Sequence, residues 1–375
     1  MRDGGTGKSR PGTFGCVHAA GLLAVAYILL LNWLNAPPTA LTAAMSEASG
    51  LMARATAALR ECRESRGLPL DPEADPNGTG LVGKERSEIT TSLGRLEAKR
   101  TTANPDFAAL VVSLLHEAGV RRGDVVAVGA SSSFPALIVA TLSAAEAMGV
   151  EPLVVSSLGA SEWGANLPGF HWLDMEACLR AAGLLAVRPV ARAIGGEGDV
   201  GEDMDPAGRA LLETRIRAEG TPYLVEPDLL QNVAARLDAY HRAAGARPIK
   251  AFVNIGGSWA NMGTDASVLE LAPGLAPRVP LPPPGRRGVI QAMAAAGVPV
   301  IHLLNVKGLC ERYGLPWDPR PLPGPGQGGL RSLRPGHGPA EVPLAAGYIA
   351  ALAAVLIAFR RRRPFFLDNP EKPGR

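Results

Sequence analysis

The fold is decided by residues 125–155, VVAVGASSSFPALIVATLSAAEAMGVEPLVV. An apolar run at 125–128 leads through a serine-rich loop into a stretch with helical character. Gly149 ends that stretch, and a second apolar run follows at 153–155. Glycine just past a helix adopts the left-handed cap without a Cβ penalty. A strand, a helix and a second strand in this order are typical of a parallel sheet.

The same pattern occurs five times, with helix-ending glycines at 119, 149, 183, 220 and 297. The clearest helix begins at Asn104-Pro105-Asp106, where an N-cap residue is followed by proline in the first turn. We therefore predict an α/β fold with a mainly parallel sheet and helices on both of its faces. The predicted strands are residues 125–128, 153–155, 223–225, 252–255 and 298–301.

Charge excludes one class of protein. The two tails hold nine of the 38 basic and three of the 35 acidic residues, so 29 basic and 32 acidic residues remain between them. A nucleic-acid-binding domain needs a basic footprint. We therefore expect no nucleic-acid partner.

Two apolar segments lie near the ends of the chain, and basic residues flank both. They predict two transmembrane helices, with both tails in the cytoplasm because basic flanks stay there. The expected location is the cell (inner) membrane, with the central domain extracytoplasmic. A cleaved signal peptide is the alternative for the first segment, and a buried core helix for the second. The predicted segments are a basic tail (1–15), a transmembrane helix (16–36), a membrane-proximal helical segment (37–100), an α/β domain (101–315), a Pro/Gly-rich linker (316–341), a second transmembrane helix (342–359) and a basic tail (360–375).

Polar loops follow three of the predicted strands, where parallel sheets bind ligands. In the first loop, Ser131, Ser132 and Ser133 precede a helix, which favours a cap, an anion site or a nucleophile. In the second, Trp163 and Asn166 suit either a ligand wall or a compact loop. The third predicts a ligand site or a tight turn and contains Asn254, Gly256, Gly257 and Ser258.

Further candidates lie outside these loops. His302 ends a strand beside Asn305, and a relay of Ser131 or Ser133 with Asp174 and His302 would serve acyl transfer. Lys99 and Arg100 form the best basic cluster, either a solvated helix end or a partner for carboxylates. Four cysteines show no metal spacing, so we predict no metal and no cofactor, and at least one free thiol among the three central cysteines.

Several unusual strings stand out along the chain: residues 88–94 (EITTSLG), 98–108 (AKRTTANPDFA), 131–135 (SSSFP), 142–149 (LSAAEAMG), 159–166 (GASEWGAN), 172–176 (WLDME), 254–257 (NIGG), 300–305 (VIHLLN) and 313–316 (YGLP). They resemble the poly-γ-glutamate system protein family, and the resemblance covers roughly residues 50–320. The serine loop of that family reads Ser-Gly-Ser, whereas this chain has Ser132 in the middle.

The resemblance implies a membrane-bound accessory component of capsule biosynthesis, acting in poly-γ-glutamate synthesis or export. Its implied partners are the membrane components of the synthase and the anionic polymer. Two alternatives stay open: a serine-dependent acyl hydrolase or transferase acting on polyglutamate, and a non-catalytic scaffold of the synthase complex.

Overall fold

A computed structural model describes residues 14–35, 39–185, 189–330 and 341–361. The chain divides into two compact units, residues 1–37 with 335–375, and residues 38–334. In the first unit, helix α1 (Phe14–Asn35) packs against helix α12 (Glu341–Arg361). The rings of Tyr27 and Tyr348 stack there with centroids 4.6 Å apart.

The membrane predictions are wrong. Helices do form over both predicted spans, but no helix in the described ranges combines the length and the apolar character that crossing a bilayer requires. Crossing the hydrocarbon core of a bilayer takes about 20 predominantly apolar residues in one helix. This finding contradicts four predictions: the transmembrane helices at 16–36 and 342–359, the two-pass topology, the inner-membrane location and the extracytoplasmic placement of the central domain. The predicted basic tails lie almost wholly outside the described residues.

The second unit alternates helices and strands along most of its length. Its helices are α2 (Thr39–Ser65), α3 (Leu96–Thr102), α4 (Asp106–Glu117), α5 (Pro135–Met148), α6 (Trp172–Ala181), α7 (Pro206–Glu219), α8 (Leu229–Ala244), α9 (Trp259–Met262), α10 (Val289–Ala295) and α11 (Val306–Tyr313). Its strands are β1 (Val125–Ser131), β2 (Glu151–Ser157), β3 (Asn166–Leu167), β4 (Phe170–His171), β5 (Ala191–Ala193), β6 (Ile249–Ile255), β7 (Gly274–Leu275) and β8 (Val300–Leu303).

Six strands form one sheet in the order β5-β2-β1-β6-β8-β7. All neighbours are parallel except β7, which is antiparallel to β8. The α/β class and the mainly parallel sheet are therefore confirmed. On one side of β1 the sheet continues with β2 and then β5, and on the far side of β6 it continues with β8 and then β7. The topological switch point, where ligands bind in such sheets, consequently lies between β1 and β6.

Helices cover both faces of this sheet, so β1 is buried along its whole length. Val126 and Val128 belong to the core cluster that includes residues of α4 and α5. Val125 and Ala127 belong to a second cluster that includes residues of α8 and α10. Successive residues of a strand point to opposite faces, so the continuous apolar run of β1 supplies both cores.

The strand predicted at 223–225 is wrong. Strand β5 forms the edge of the sheet beside β2. Residues 223–225 add no further strand there, because Tyr223 forms only an isolated bridge with Arg192 of β5. Arg192 makes β5 look polar in sequence. Its guanidinium is nevertheless buried, between the carboxylates of Glu176 and Glu219.

Two segments predicted to stand apart pack within the second unit. Helix α2 contacts α4 and α5, so the described part of the segment, from residue 39 onward, packs against the α/β fold. The predicted linker also packs on the unit as far as Leu330, whose side chain is buried. Asp106 of α4 accepts hydrogen bonds from the backbone N–H groups of Gly326 and Gly328 in this linker. Residues 331–340 lie outside the described residues.

The cysteines follow the prediction of a free thiol. Cys62 of α2 and Cys178 of α6 form a disulfide that links positions 116 residues apart. Cys310 is free and buried in α11. The bond therefore ties the N-terminal helix of the unit to a helix beside the second loop.

Candidate functional site

A cavity of about 440 Å³ opens at the carboxyl ends of β1, β2, β5, β6 and β8, and we call it the strand-end cavity. It lies at the switch point of the sheet, where the sequence placed the polar loops. Its wall combines serine hydroxyls, glycines, three cations and two tryptophans. The lining includes Thr91, Ser92, Arg95, Lys99, Ser131, Ser133, Phe134, Ser157, Ser161, Gly195, Gly196, Asp203, Gly257, Ser258, Trp259, Leu304, Asn305, Lys307 and Trp317.

The first serine loop divides into structural and cavity-lining residues. The Ser132 hydroxyl is buried and donates to the Ser157 carbonyl at 2.7 Å, which ties β1 to β2. Ser131 and Ser133 line the cavity. The Ser133 hydroxyl accepts a hydrogen bond from the Ser161 backbone N–H at 2.9 Å, so it joins the first loop to the second.

Lys99 lies in the floor of the cavity and is only 4% exposed. Its Nζ donates to the Ser133 carbonyl at 2.5 Å and contacts the Ser161 hydroxyl at 2.8 Å. It also stands 3.7 Å from the ring centroid of Phe134. Neither hydrogen-bond partner is a carboxylate, and burial lowers the pKa of the Lys99 ammonium to about 7. Near neutral pH this amine therefore exists in both protonation states.

Arg100 is the next residue but points elsewhere. Its Nε and Nη2 donate to the two carboxylate oxygens of Asp318 at 2.7 and 2.6 Å. These hydrogen bonds hold the pKa of the Asp318 carboxyl below its usual value. The pair fixes the segment that carries Trp317, a residue at the rim of the cavity that is 36% exposed. Arg100 itself does not line the cavity.

The third loop approaches the first very closely. Gly256 has φ = +78°, and a Cβ there would lie 2.9 Å from the Ser131 Cβ, so glycine is required for both reasons. Gly257 and Ser258 line the cavity, and the Ser258 hydroxyl also caps α9. Asn305 lines the cavity and caps α11, accepting from the Gly308 N–H at 2.9 Å.

The Ser–Asp–His relay is not assembled in the described residues. Asp174 lies in the first turn of α6, where it accepts from the backbone N–H of the N-cap residue His171 and pairs with Arg66 and Arg215. His302 is buried in β8, with its Nδ1 3.1 Å from the amide nitrogen of Asn254, and burial lowers the pKa of His302 to about 4. Neither residue lines the cavity that Ser131 and Ser133 face.

The second loop uses its predicted residues to hold its own shape. The buried Asn166 side chain donates to the Lys84 carbonyl and the Thr90 hydroxyl, and accepts from the Lys84 N–H. Trp163 has a positive φ of 63° and exchanges backbone hydrogen bonds with residues 83 and 84. Neither side chain lines the cavity. Gly159 and Ser161 of this loop line the cavity instead, and neither is among the residues that the sequence singled out.

A second missed feature follows β5. The sequence GGEGDVG at 195–201 places Gly195, Gly196, Gly198 and Gly201 at positive φ, and the first two line the cavity. The glycine spacing was visible in the sequence. The strand that precedes it, β5, has only three residues and contains Arg192, so no apolar run marks this loop as a strand end.

The ionisable groups of the cavity favour an anionic ligand. Arg95, Lys99 and Lys307 line it against the single carboxylate of Asp203. Serine hydroxyls and cations are the groups that bind carboxylates in proteins. Within the described ranges, no cluster of three or more His, Cys, Asp or Glu residues is arranged to hold a metal ion.

Comparison with known proteins adds no relative. No protein-family model, no curated protein and no solved structure matches the chain.

Proposed function

We propose that the protein binds an anionic, carboxylate-bearing chain in the strand-end cavity, as an accessory component of poly-γ-glutamate synthesis or export. One observation carries the binding proposal: the cations Arg95 and Lys307, the partly protonated Lys99 and several serines line the cavity against one carboxylate. The sequence resemblance supplies the identity of the polymer. The two proposals are separable, because the cavity chemistry suits any carboxylate chain of suitable width.

Two of the cations stand where an incoming chain would meet them first. Arg95 precedes α3 and Lys307 lies in the first turn of α11, and both are exposed at the cavity wall. The tryptophans Trp259 and Trp317 are 43% and 36% exposed at the same opening. Exposed cations attract an anionic chain at long range, and the indoles offer an apolar surface to the methylene groups between its carboxylates.

Titration calorimetry of the full chain with a γ-linked glutamate oligomer tests the proposal. We expect binding that weakens as salt is added, because charge pairs at exposed sites are screened. The double variant Arg95→Gln with Lys307→Gln should bind about tenfold more weakly, since two favourable charges are removed.

The matched control is Lys250→Gln. Lys250 is an exposed cation near the amino end of β6, whereas the cavity lies at the carboxyl ends of the strands, so its loss should leave the affinity unchanged. Equal binding of a γ-linked oligomer whose α-carboxylates are replaced by uncharged α-carboxamides would contradict the proposal. Failure of the chain to bind any oligomer would favour a scaffold role instead.

A further inference from the structure

Ser161 and Lys99 make a contact that the binding proposal does not use. The Ser161 Oγ lies 2.8 Å from the Lys99 Nζ, and both residues line the strand-end cavity. Ser161 is 6% and Lys99 is 4% exposed, so both are sheltered from bulk water but open to the cavity. This is the spacing at which a base takes a proton from a nucleophile.

Both atoms are held in place by their surroundings. The Ser161 backbone N–H donates to the Ser133 hydroxyl at 2.9 Å, which fixes the residue against the first loop. The Lys99 Nζ donates to the Ser133 carbonyl at 2.5 Å and lies over the Phe134 ring. One serine therefore positions both groups, so their separation follows from the backbone of the two loops.

We propose that Ser161 and Lys99 form a nucleophile–base pair for acyl transfer, which attacks an amide or ester carbonyl of a chain bound in the strand-end cavity. The identity of the natural substrate, a γ-linked glutamyl amide, rests on the proposed function, whereas the reactivity of the pair does not.

The first step forms an acyl-enzyme. The neutral Lys99 Nζ takes the hydroxyl proton of Ser161 as the Oγ–carbon bond forms and the carbonyl electron pair moves onto its oxygen. That pair then re-forms the carbonyl, the bond to the leaving nitrogen or oxygen breaks, and Lys99 gives its proton to the leaving group. An ester of Ser161 remains.

The second step releases the acyl group. Water attacks the ester while Lys99 accepts its proton, and the Ser161 Oγ leaves with a proton returned by Lys99. An amine in place of water would complete a transfer reaction by the same movements. Atoms and charges balance without any redox partner.

A lysine serves as a base only when it is neutral. Burial lowers the pKa of Lys99 to about 7, so a substantial fraction is neutral near physiological pH. Other ionisable groups around the pair are Arg95, Lys307 and Asp203 in the cavity wall, and Glu162, which is paired with Arg86 at 3.4 Å. None of them is a hydrogen-bond partner of the Lys99 Nζ.

Ser131 and Ser133 lack an equivalent base among the described contacts. The Ser131 hydroxyl accepts from the Ser133 N–H at 3.3 Å, and the Ser133 hydroxyl accepts from Ser161. The geometry therefore distinguishes Ser161 from the serines that the sequence favoured.

Acylation by p-nitrophenyl acetate tests the pair without requiring the natural substrate. The probe is uncharged, so its reaction is independent of carboxylate binding. We expect the full chain to gain one acetyl group, located on Ser161 by peptide mass mapping. Acetylation should vanish in Ser161→Ala and fall about 100-fold or more in Lys99→Met. The acetylation rate of Lys99→Arg should fall as far, since a guanidinium keeps its proton and cannot act as a base.

The matched control is Ser65→Ala, which removes an exposed serine at the end of α2, outside the cavity. Its acetylation should equal that of the unsubstituted chain. The pH profile of the unsubstituted chain needs no variant: the logarithm of the rate should rise with unit slope below pH about 7 and level off above it.

Three results would overturn the inference: acetylation at another serine, retention of the reaction in Lys99→Met or Lys99→Arg, and no acetylation of the folded, unsubstituted chain. The two proposals fail separately. Oligomer binding without acetylation removes only the catalytic inference, and acetylation without oligomer binding removes only the proposed ligand.

Discussion

Two regions meet along α3: the floor of the strand-end cavity, where Lys99 lies, and the contact with residues 317–320, where Arg100 lies. Both cations are buried, at 4% and 6% exposure. Arg100 has a carboxylate partner, Asp318, in bidentate geometry. Lys99 contacts a carbonyl, a hydroxyl and an aromatic ring instead.

The difference separates a group kept for stability from one kept for chemistry. A buried cation that meets a carboxylate retains its charge, and the pair fastens one segment to another. A buried cation without a carboxylate is destabilised in its charged form, so its proton is easily lost. Perturbed groups of this kind concentrate at functional sites. The comparison therefore predicts opposite effects for the same substitution at consecutive positions.

The largest effect is expected from Arg100→Met. The free energy of unfolding should fall by about 3 kcal/mol, the lower end for a broken buried pair, because Asp318 is 17% exposed and keeps only the exposed Arg320, at 3.4 Å. Urea denaturation measures it. The control is Arg242→Met, which breaks an exposed ion pair with Asp238 and should cost less than about 1 kcal/mol. If the double variant with Asp318→Asn lost as much as the two single variants combined, the two residues would not be coupled.

Lys99→Met should have a smaller effect of the opposite sign near neutral pH. Native Lys99 releases its proton near pH 7, whereas in the unfolded chain it does so near 10.5. Between these values the unfolded state binds more protons, so the stability of the unsubstituted chain rises with pH. The cost of burying the charge is thus fully present below pH 7 and is relieved as pH increases.

The measurement is the difference in unfolding free energy between the unsubstituted chain and Lys99→Met. From pH 7 to 10 this difference should shift by roughly 2–3 kcal/mol in favour of the unsubstituted chain. That is about half of the value that the difference between the two pKa values of Lys99 would give, because the side chain borders an open cavity. Lys250→Met, at an exposed lysine, should show no such shift. Parallel pH curves for Lys99→Met and the unsubstituted chain would mean that Lys99 is charged and solvated.

The sequence predicted the alternation of strands and helices because that information is local. The run at 125–128 is apolar on both faces, and Gly149 caps α5 in the left-handed conformation as expected. Strand β5 was missed because Arg192 is neutralised by Glu176 and Glu219, and no short pattern reveals partners that are 16 and 27 residues away.

The partners of Lys99 and of Arg100 could not be predicted from the sequence either. Two basic residues and two threonines read as a solvated helix end, but the contact that buries Arg100 comes from Asp318, 218 positions along the chain. Ser161 meets Lys99 from 62 positions away. Loops at strand ends were predictable as ligand-binding positions from topology alone. Which serine faces which base depends on long-range packing.

The smallest effect on stability is expected from Ser161→Ala, although it should abolish acetylation. Its hydroxyl accepts one hydrogen bond from the Lys99 Nζ, so the free energy of unfolding should change by about 1 kcal/mol or less at pH 8, where the amine is mostly neutral. In the Lys99→Met background the same substitution should change it by nearly zero, because the partner is already gone. A loss of several kcal/mol at Ser161 in either background would show that this serine holds the two loops together. Lys99 and Arg100 would then both serve stability, and the contrast between the cavity floor and the Asp318 contact would disappear.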